Sequence, residues 1–146
     1  MCTNDYFSRE LREIPRFGAF LWHEGFTPEY RGLYAPFWTV SALDFDRIGS
    51  TLLRMSDSFD AGDPFVQEPA RDVDPFTDGP LFLGHKAIYD SLPAVECFLK
   101  ELENGIARPL DHAGRESRIY TYPGLSDLIH QRLSLRRVAF SASPGR

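Results

Sequence analysis

His23 is the residue in this 146-residue chain best placed to do chemistry, because it closes an apolar run that begins at Phe17. An imidazole at the end of a buried strand is available as an acid, a base or a ligand, and the competing reading is a packed or surface histidine. Glu24 follows directly, but adjacent residues of a strand point to opposite faces, so the two form no single constellation without a bulge. Cys97 is the second candidate. It falls on a helical stretch about 160° from that helix's apolar stripe. An exposed thiol one turn from Lys100 has the setting of a nucleophile or redox group, whereas a thiol on a second buried face is inert. The remaining histidines, His85, His112 and His130, are scattered without metal-motif spacing, so no metal is expected. No glycine-rich phosphate loop and no nucleophile-elbow serine occurs, and no cofactor is expected.

Two further groupings suggest binding. Trp22, Tyr34 and Trp38 belong to an aromatic cluster that can line an apolar ligand pocket, with Arg31 at its rim for an anion; the alternative is ordinary core. Residues 56 to 80 hold seven carboxylates and a single arginine among four prolines, including a near-repeat, Asp63-Pro64-Phe65 and Asp74-Pro75-Phe76. Acids with apolar anchors can dock on a basic protein, and Asp63, Phe65, Asp72, Asp74, Phe76 and Asp78 are the candidate contacts; a solvated insertion is the alternative.

Composition limits the classes. The formal net charge of −5 argues against generic nucleic-acid binding. No apolar stretch is long enough for a membrane span and the first residues are polar, so a cytoplasmic location is expected. Cys2 and Cys97 are the only thiols, too few for a disulfide framework. Fourteen of the 16 basic residues are arginines, which fits a GC-rich genome or a surface of planar guanidinium contacts.

Residues that act must be positioned by elements. Thr3 or Asn4 can cap a helix to Ile14, and Phe17 to His23 reads as a strand buried on both faces. Tyr34 to Ser41 reads as a second strand. Phe45, Ile48, Leu52, Met55 and Phe59 recur at helical spacing, with Ser41 and Asp44 as a capping box. After the acidic loop comes a short strand at Leu81 to Leu83 and a helical piece around His85 to Asp90. A helix from Ser91 then stops at Asn104-Gly105. Ser117 to Tyr122 alternates as a strand, a last helix starts at Ser126, and residues 141 to 146 fray.

This order predicts one α+β domain spanning residues 1 to 146: a small antiparallel sheet of about four strands with three to four helices on one face and one long acidic loop. Two functions compete. The first is an inhibitory or protein-binding module of the immunity or antitoxin type, docking its acidic loop on a basic partner. The second is a small-molecule enzyme or ligand binder with an aromatic pocket served by His23 and Arg31. A subunit without independent activity is the third reading.

Overall fold

The structure, a computed structural model, describes residues 7–142. Its sheet has three antiparallel strands, β1 (Phe20–His23), β3 (Gly49–Arg54) and β4 (Pro64–Pro69), with β3 in the middle. Leu21 lies opposite Leu53 and His23 opposite Thr51, while Leu52 faces Val66 across the other ladder. The 24-residue helix α3 (Pro80–Glu103) lies over β3 and β4. Leu52, Val66, Val95 and Phe98 make the core between them, with Phe20, Trp22 and Phe65 packed against it. The Phe20, Phe65 and Phe98 rings meet at 5.1 to 5.5 Å between centroids. Burying each such ring stabilises the fold by roughly 1.5–3 kcal/mol, so this triad is the main reason α3 stays on the sheet.

A second apolar cluster, Val40, Ile48 and Leu83, joins α3 to α2 (Ala35–Ser41), with Leu135 of α4 (Leu125–Ala142) against it. A short helix, α1 (Arg9–Glu13), is capped by Ser8, whose hydroxyl accepts the Leu11 N–H. Two residue pairs form a separate parallel ladder, β2 (Arg31–Gly32) with β5 (Ile119–Tyr120). That ladder returns the chain's last third to the loop that follows β1.

The α+β class and the small antiparallel sheet agree with expectation, but several elements do not. Residues 35 to 41 are helix rather than strand. Ala35-Pro36 opens that helix, where proline's fixed φ is favourable, and the Thr39 hydroxyl turns back to the Ala35 carbonyl at 2.8 Å. The expected helix over 45 to 59 is one turn of 3-10 helix followed by β3. β3 is buried on both faces over its first five residues, so it lacks the alternation that marks a strand. Gly49 is where a side chain would run into the Phe26 ring and the Glu68 carbonyl, so the backbone approach requires glycine. The acidic segment is not one long loop, because β4 occupies its middle. The short strand at 81 to 83 and the two helical pieces after it are one continuous helix, in which Ser91 is buried mid-helix instead of capping. Gly105, at φ 68°, ends it as expected. The Thr3 or Asn4 cap and residues 143 to 146 of the frayed tail lie outside the described residues.

Candidate functional site

β1 ends at His23, and the chain turns immediately. At Gly25 a side chain would collide with Ala35 and crowd the Tyr30 carbonyl. This tight turn brings the Tyr30 carbonyl oxygen 2.7 Å from Nε2 of His23. Nδ1 faces the other way. Asp60, in the left-handed region at φ 48° beyond the end of β3, places Oδ2 3.8 Å from it. The same oxygen accepts the Gly32 N–H at 2.8 Å, so the carboxylate is fixed from the β2 side. His23 is 7% exposed. A buried imidazole is thus held between a carbonyl and a carboxylate, an arrangement that orients a ring for proton transfer.

The surrounding hydrogen bonds keep the turn rigid. Thr51, opposite His23 on β3, donates its hydroxyl to the Gly25 carbonyl at 2.8 Å and accepts the Thr27 N–H and a Gln67 N–H. Gln67 also donates to the Thr27 carbonyl at 2.6 Å. Arg115 closes the network by donating in parallel to both Glu29 oxygens, at 2.8 and 2.7 Å, and to the Gln67 side-chain oxygen at 2.9 Å. Burial pushes the Glu29 carboxyl up, but the Arg115 fork, a backbone hydrogen bond and the positive charges of Arg115 and Arg47 together outweigh it, and the net shift is downward. On the neighbouring loop, Tyr30 donates its hydroxyl to Asp44, whose same oxygen also accepts from Arg47. Burial first and Asp44 second hold the Tyr30 phenol protonated far above its usual range.

A cavity of about 220 Å³ opens beside this network, lined by Thr27, Pro28, Asp60, Gly62, His112, Arg115 and Ser117 among others. Glu24 points to the opposite face of β1, against Gly84 of α3. Burial raises its pKa, and the nearby His23 and His85 only partly offset this. Among the described residues no group of three or more His, Cys, Asp or Glu is arranged to hold a metal ion.

The expected aromatic group does not converge on one cavity. Trp22 faces α3, its indole N–H shared between the hydroxyls of Ser91 at 3.2 Å and Ser50 at 3.4 Å. Trp38 stacks on Tyr120, which in turn stacks on Tyr30, and its indole N–H donates to the Thr121 carbonyl. Tyr34 packs on Tyr122. Arg31 donates to the Phe59 carbonyl through two nitrogens and to Ser117, tying the Asp60 loop to the segment before β5. Cys97 is exposed on α3, and Lys100 is bonded to Glu96.

In the acidic segment, Phe65 belongs to the core triad and the Asp63 carboxylate lies 4.0 Å from His112. Asp74 accepts from Phe76 N–H and Thr77, while Asp78 accepts from Asp74 N–H, so both carboxylates serve local turns. Phe76 leans on Phe45, and Asp72 is exposed at φ 52°. Sequence reasoning did not single out Asp60, Arg115 or Glu29. Asp60 carried no signal beyond its place in an acidic stretch, since its link to His23 exists only once β1 and β3 are paired.

No protein-family model and no curated protein matches the sequence. Solved structures do match in fold. The 4-N formyltransferase from Francisella tularensis superposes at TM-score 0.67, with 14% identity over 91% of this chain and 57% of that one. The formyltransferase PseJ from Anoxybacillus kamchatkensis, solved with UDP-4,6-dideoxy-4-formamido-L-AltNAc and tetrahydrofolate, gives 0.61 and 14% identity, covering 97% of this chain and 67% of that one. WlaRD, a sugar 3-N-formyltransferase solved with dTDP and 5-N-formyl-tetrahydrofolate, gives 0.61 and 17%, covering 80% and 45%. The fold is that of the formyltransferases, and the chain spans about half the length of the first structures it matches.

These matches overturn the expectation of an inhibitory, protein-binding module of the immunity or antitoxin type. The fold is one that small-molecule enzymes use, and the segment meant to dock on a basic partner is largely committed to β4, the core and local turns. No helix among the described residues is long and apolar enough to cross a membrane.

Proposed function

We propose that this chain is part of a small-molecule group-transfer enzyme that moves a formyl group onto an amine, with His23 and Asp60 at the reacting centre. The observation that carries the reading is the buried His23–Asp60 pair, at the end of β1 in a fold shared with enzymes that carry out this transfer. With Nε2 donating to the Tyr30 carbonyl, Nδ1 is the basic nitrogen and faces Asp60. As the amine nitrogen bonds to the formyl carbon and the donor's bond to that carbon breaks, His23 takes the amine proton at Nδ1 and returns it to the leaving nitrogen. Asp60 stabilises the imidazolium in between.

The ligands of the matched structures, folates and nucleotide-linked sugars, suggest the substrate classes for this reading. Pockets for ligands of drug size run to about 300–1,000 Å³. The cavity beside Asp60 is smaller, at about 220 Å³, so the described residues would hold the reacting ends rather than whole substrates. A cytoplasmic site of action belongs to the same reading.

The test is a titration of the chain with folinic acid and with dTDP-3-aminofucose, followed at the His23 imidazole by NMR, alongside a transfer assay with formyl-tetrahydrofolate. A saturable shift with either ligand, lost in Asp60→Asn, supports the reading. No shift with either ligand and no transfer would overturn it.

A further inference from the structure

Formyl transfer to an amine releases a proton that His23 cannot return to the donor. A primary amine, like the lysine side chain, is protonated below about pH 10, so the acceptor arrives as an ammonium. Ammonium and formyl donor then give the formamide, the donor bearing a new N–H, and one free proton. Loss of the first proton frees the nitrogen lone pair that bonds to the formyl carbon. The electron pair of the donor's broken C–N bond stays on the leaving nitrogen, which receives the second proton. With Nε2 of His23 committed to the Tyr30 carbonyl, Nδ1 accepts both protons in turn and must discharge between them. The residue is 7% exposed, so that discharge needs a carrier.

Asp60, 3.8 Å from Nδ1, also lines the cavity of about 220 Å³, and His112 lines the same cavity. The segment carrying His112 is pinned beside β4 by the Leu110 N–H, which reaches the Pro64 carbonyl at 2.7 Å. With Nδ1 of His112 donating to the Leu110 carbonyl at 3.2 Å, its Nε2 is the basic nitrogen, and Asp63 Oδ1 lies 4.0 Å from it. The His112 side chain is 34% exposed. One cavity is thus bordered by two imidazoles' neighbourhoods: the buried His23 reaches it through Asp60, and the solvent-accessible His112 stands in its wall with Asp63 behind.

The space between them suits water. A polar cavity holds water where each molecule finds about three hydrogen-bond partners. Asp60 offers a carboxylate, and Ser117, whose oxygen accepts from Arg31, keeps its own O–H to donate. Arg115 has N–H groups left over from Glu29 and Gln67. Its charge is balanced by Glu29, which lowers the electrostatic barrier to a proton in transit.

We infer that His112 is the proton acceptor through which His23 discharges to solvent, by way of Asp60 and the water of this cavity, with Asp63 stabilising the His112 imidazolium. His112 touches no reacting atom and acts through His23. The need for an outlet rests on the formyl-transfer reading, whereas the route is a property of the chain and can be measured without turnover.

NMR relaxation dispersion at the His23 ring, in a buffer free of small nitrogen bases, reads how fast Nδ1 gains and loses its proton. His112→Ala and His112→Gln should each slow this exchange about tenfold or more, and added imidazole should restore it in His112→Ala. Exchange at the parent rate in both variants overturns the proposal, because the proton then leaves by another way. Slowing that imidazole does not restore also overturns it, since His112 would then be holding the loop rather than passing a proton. Absence of formyl transfer in a chain that shows the expected slowing and rescue counts against the proposed reaction and leaves the route standing.

Discussion

Oδ2 of Asp60 lies 3.8 Å from Nδ1 of His23 while accepting the Gly32 N–H at 2.8 Å, so one carboxylate oxygen joins the end of β1 to the β2 ladder. Removing this contact should affect chemistry before stability. Asp60→Asn keeps a side chain that tolerates the left-handed backbone. General acid–base assistance is worth about 10²–10⁴ in rate. Formyl transfer by Asp60→Asn and by His23→Gln should therefore fall at least about a hundredfold, with circular dichroism unchanged; activity within threefold of the parent in both variants removes the pair from the mechanism.

Arg115 should act on stability. Its fork on Glu29 is mostly shielded, and charge-assisted hydrogen bonds contribute about 1.5–3 kcal/mol each way the network is cut. Arg115→Met should destabilise the fold by about 2–3 kcal/mol in urea unfolding. Glu29 has its folded pKa below the unfolded value, so its contribution is complete above the unfolded carboxylate range and disappears as pH falls through the folded pKa. The gap between parent and Arg115→Met should narrow on acidification; a gap that is constant from neutral to acid pH would mean the pair is not coupled to folding.

Glu24 should behave in the opposite sense. Its folded pKa is raised above the ordinary 4.5, chiefly by burial, so the folded state holds the proton more tightly than the unfolded one. Stability then falls as pH rises from the unfolded pKa to the folded one. Glu24→Gln should raise the thermal midpoint at pH 7 and leave it nearly unchanged at pH 4. A drop at pH 7 would show that the carboxylate has a stabilising partner.

Gly62 sets the return from β3 to β4. A β-carbon there would overlap the backbone carbonyl of Arg54, which cannot rotate out of the way as a side-chain tip can. Gly62→Ala should cost about 1–3 kcal/mol and also displace Asp60, two residues earlier. Chemical-shift changes confined to residues 62 to 64, with His23 undisturbed, would contradict this coupling.

His23 stood out in the sequence as a candidate because a titratable residue ends an apolar run, and that pattern needs no tertiary knowledge. Its partner did not, since Asp60 reaches it only through the β1–β3 register. The stop at Gly105 was legible as a local left-handed position, whereas the start of α3 was hidden because Ser91 resembles a cap and is in fact a core hydroxyl bonded to Ser50 at 2.7 Å. At 45 to 59 the apolar spacing matched a helix, but a central strand buried on two faces imposes no period of its own. Thr39 and Val40 suggested a strand at 34 to 41, and the proline at the start of that segment was the better guide.

The chain has two tryptophans, and they stand in different parts of the fold. Trp22 is bonded to Ser50 and Ser91 between sheet and helix, while Trp38 lies nearly parallel to Tyr120, at 5.0 Å, on the β2–β5 clamp. The protein therefore contains two separate fluorophores: single replacement of either by phenylalanine yields an optical signal for the core alone or for the clamp alone. Loosening of the clamp around His23 can in this way be timed independently of unfolding.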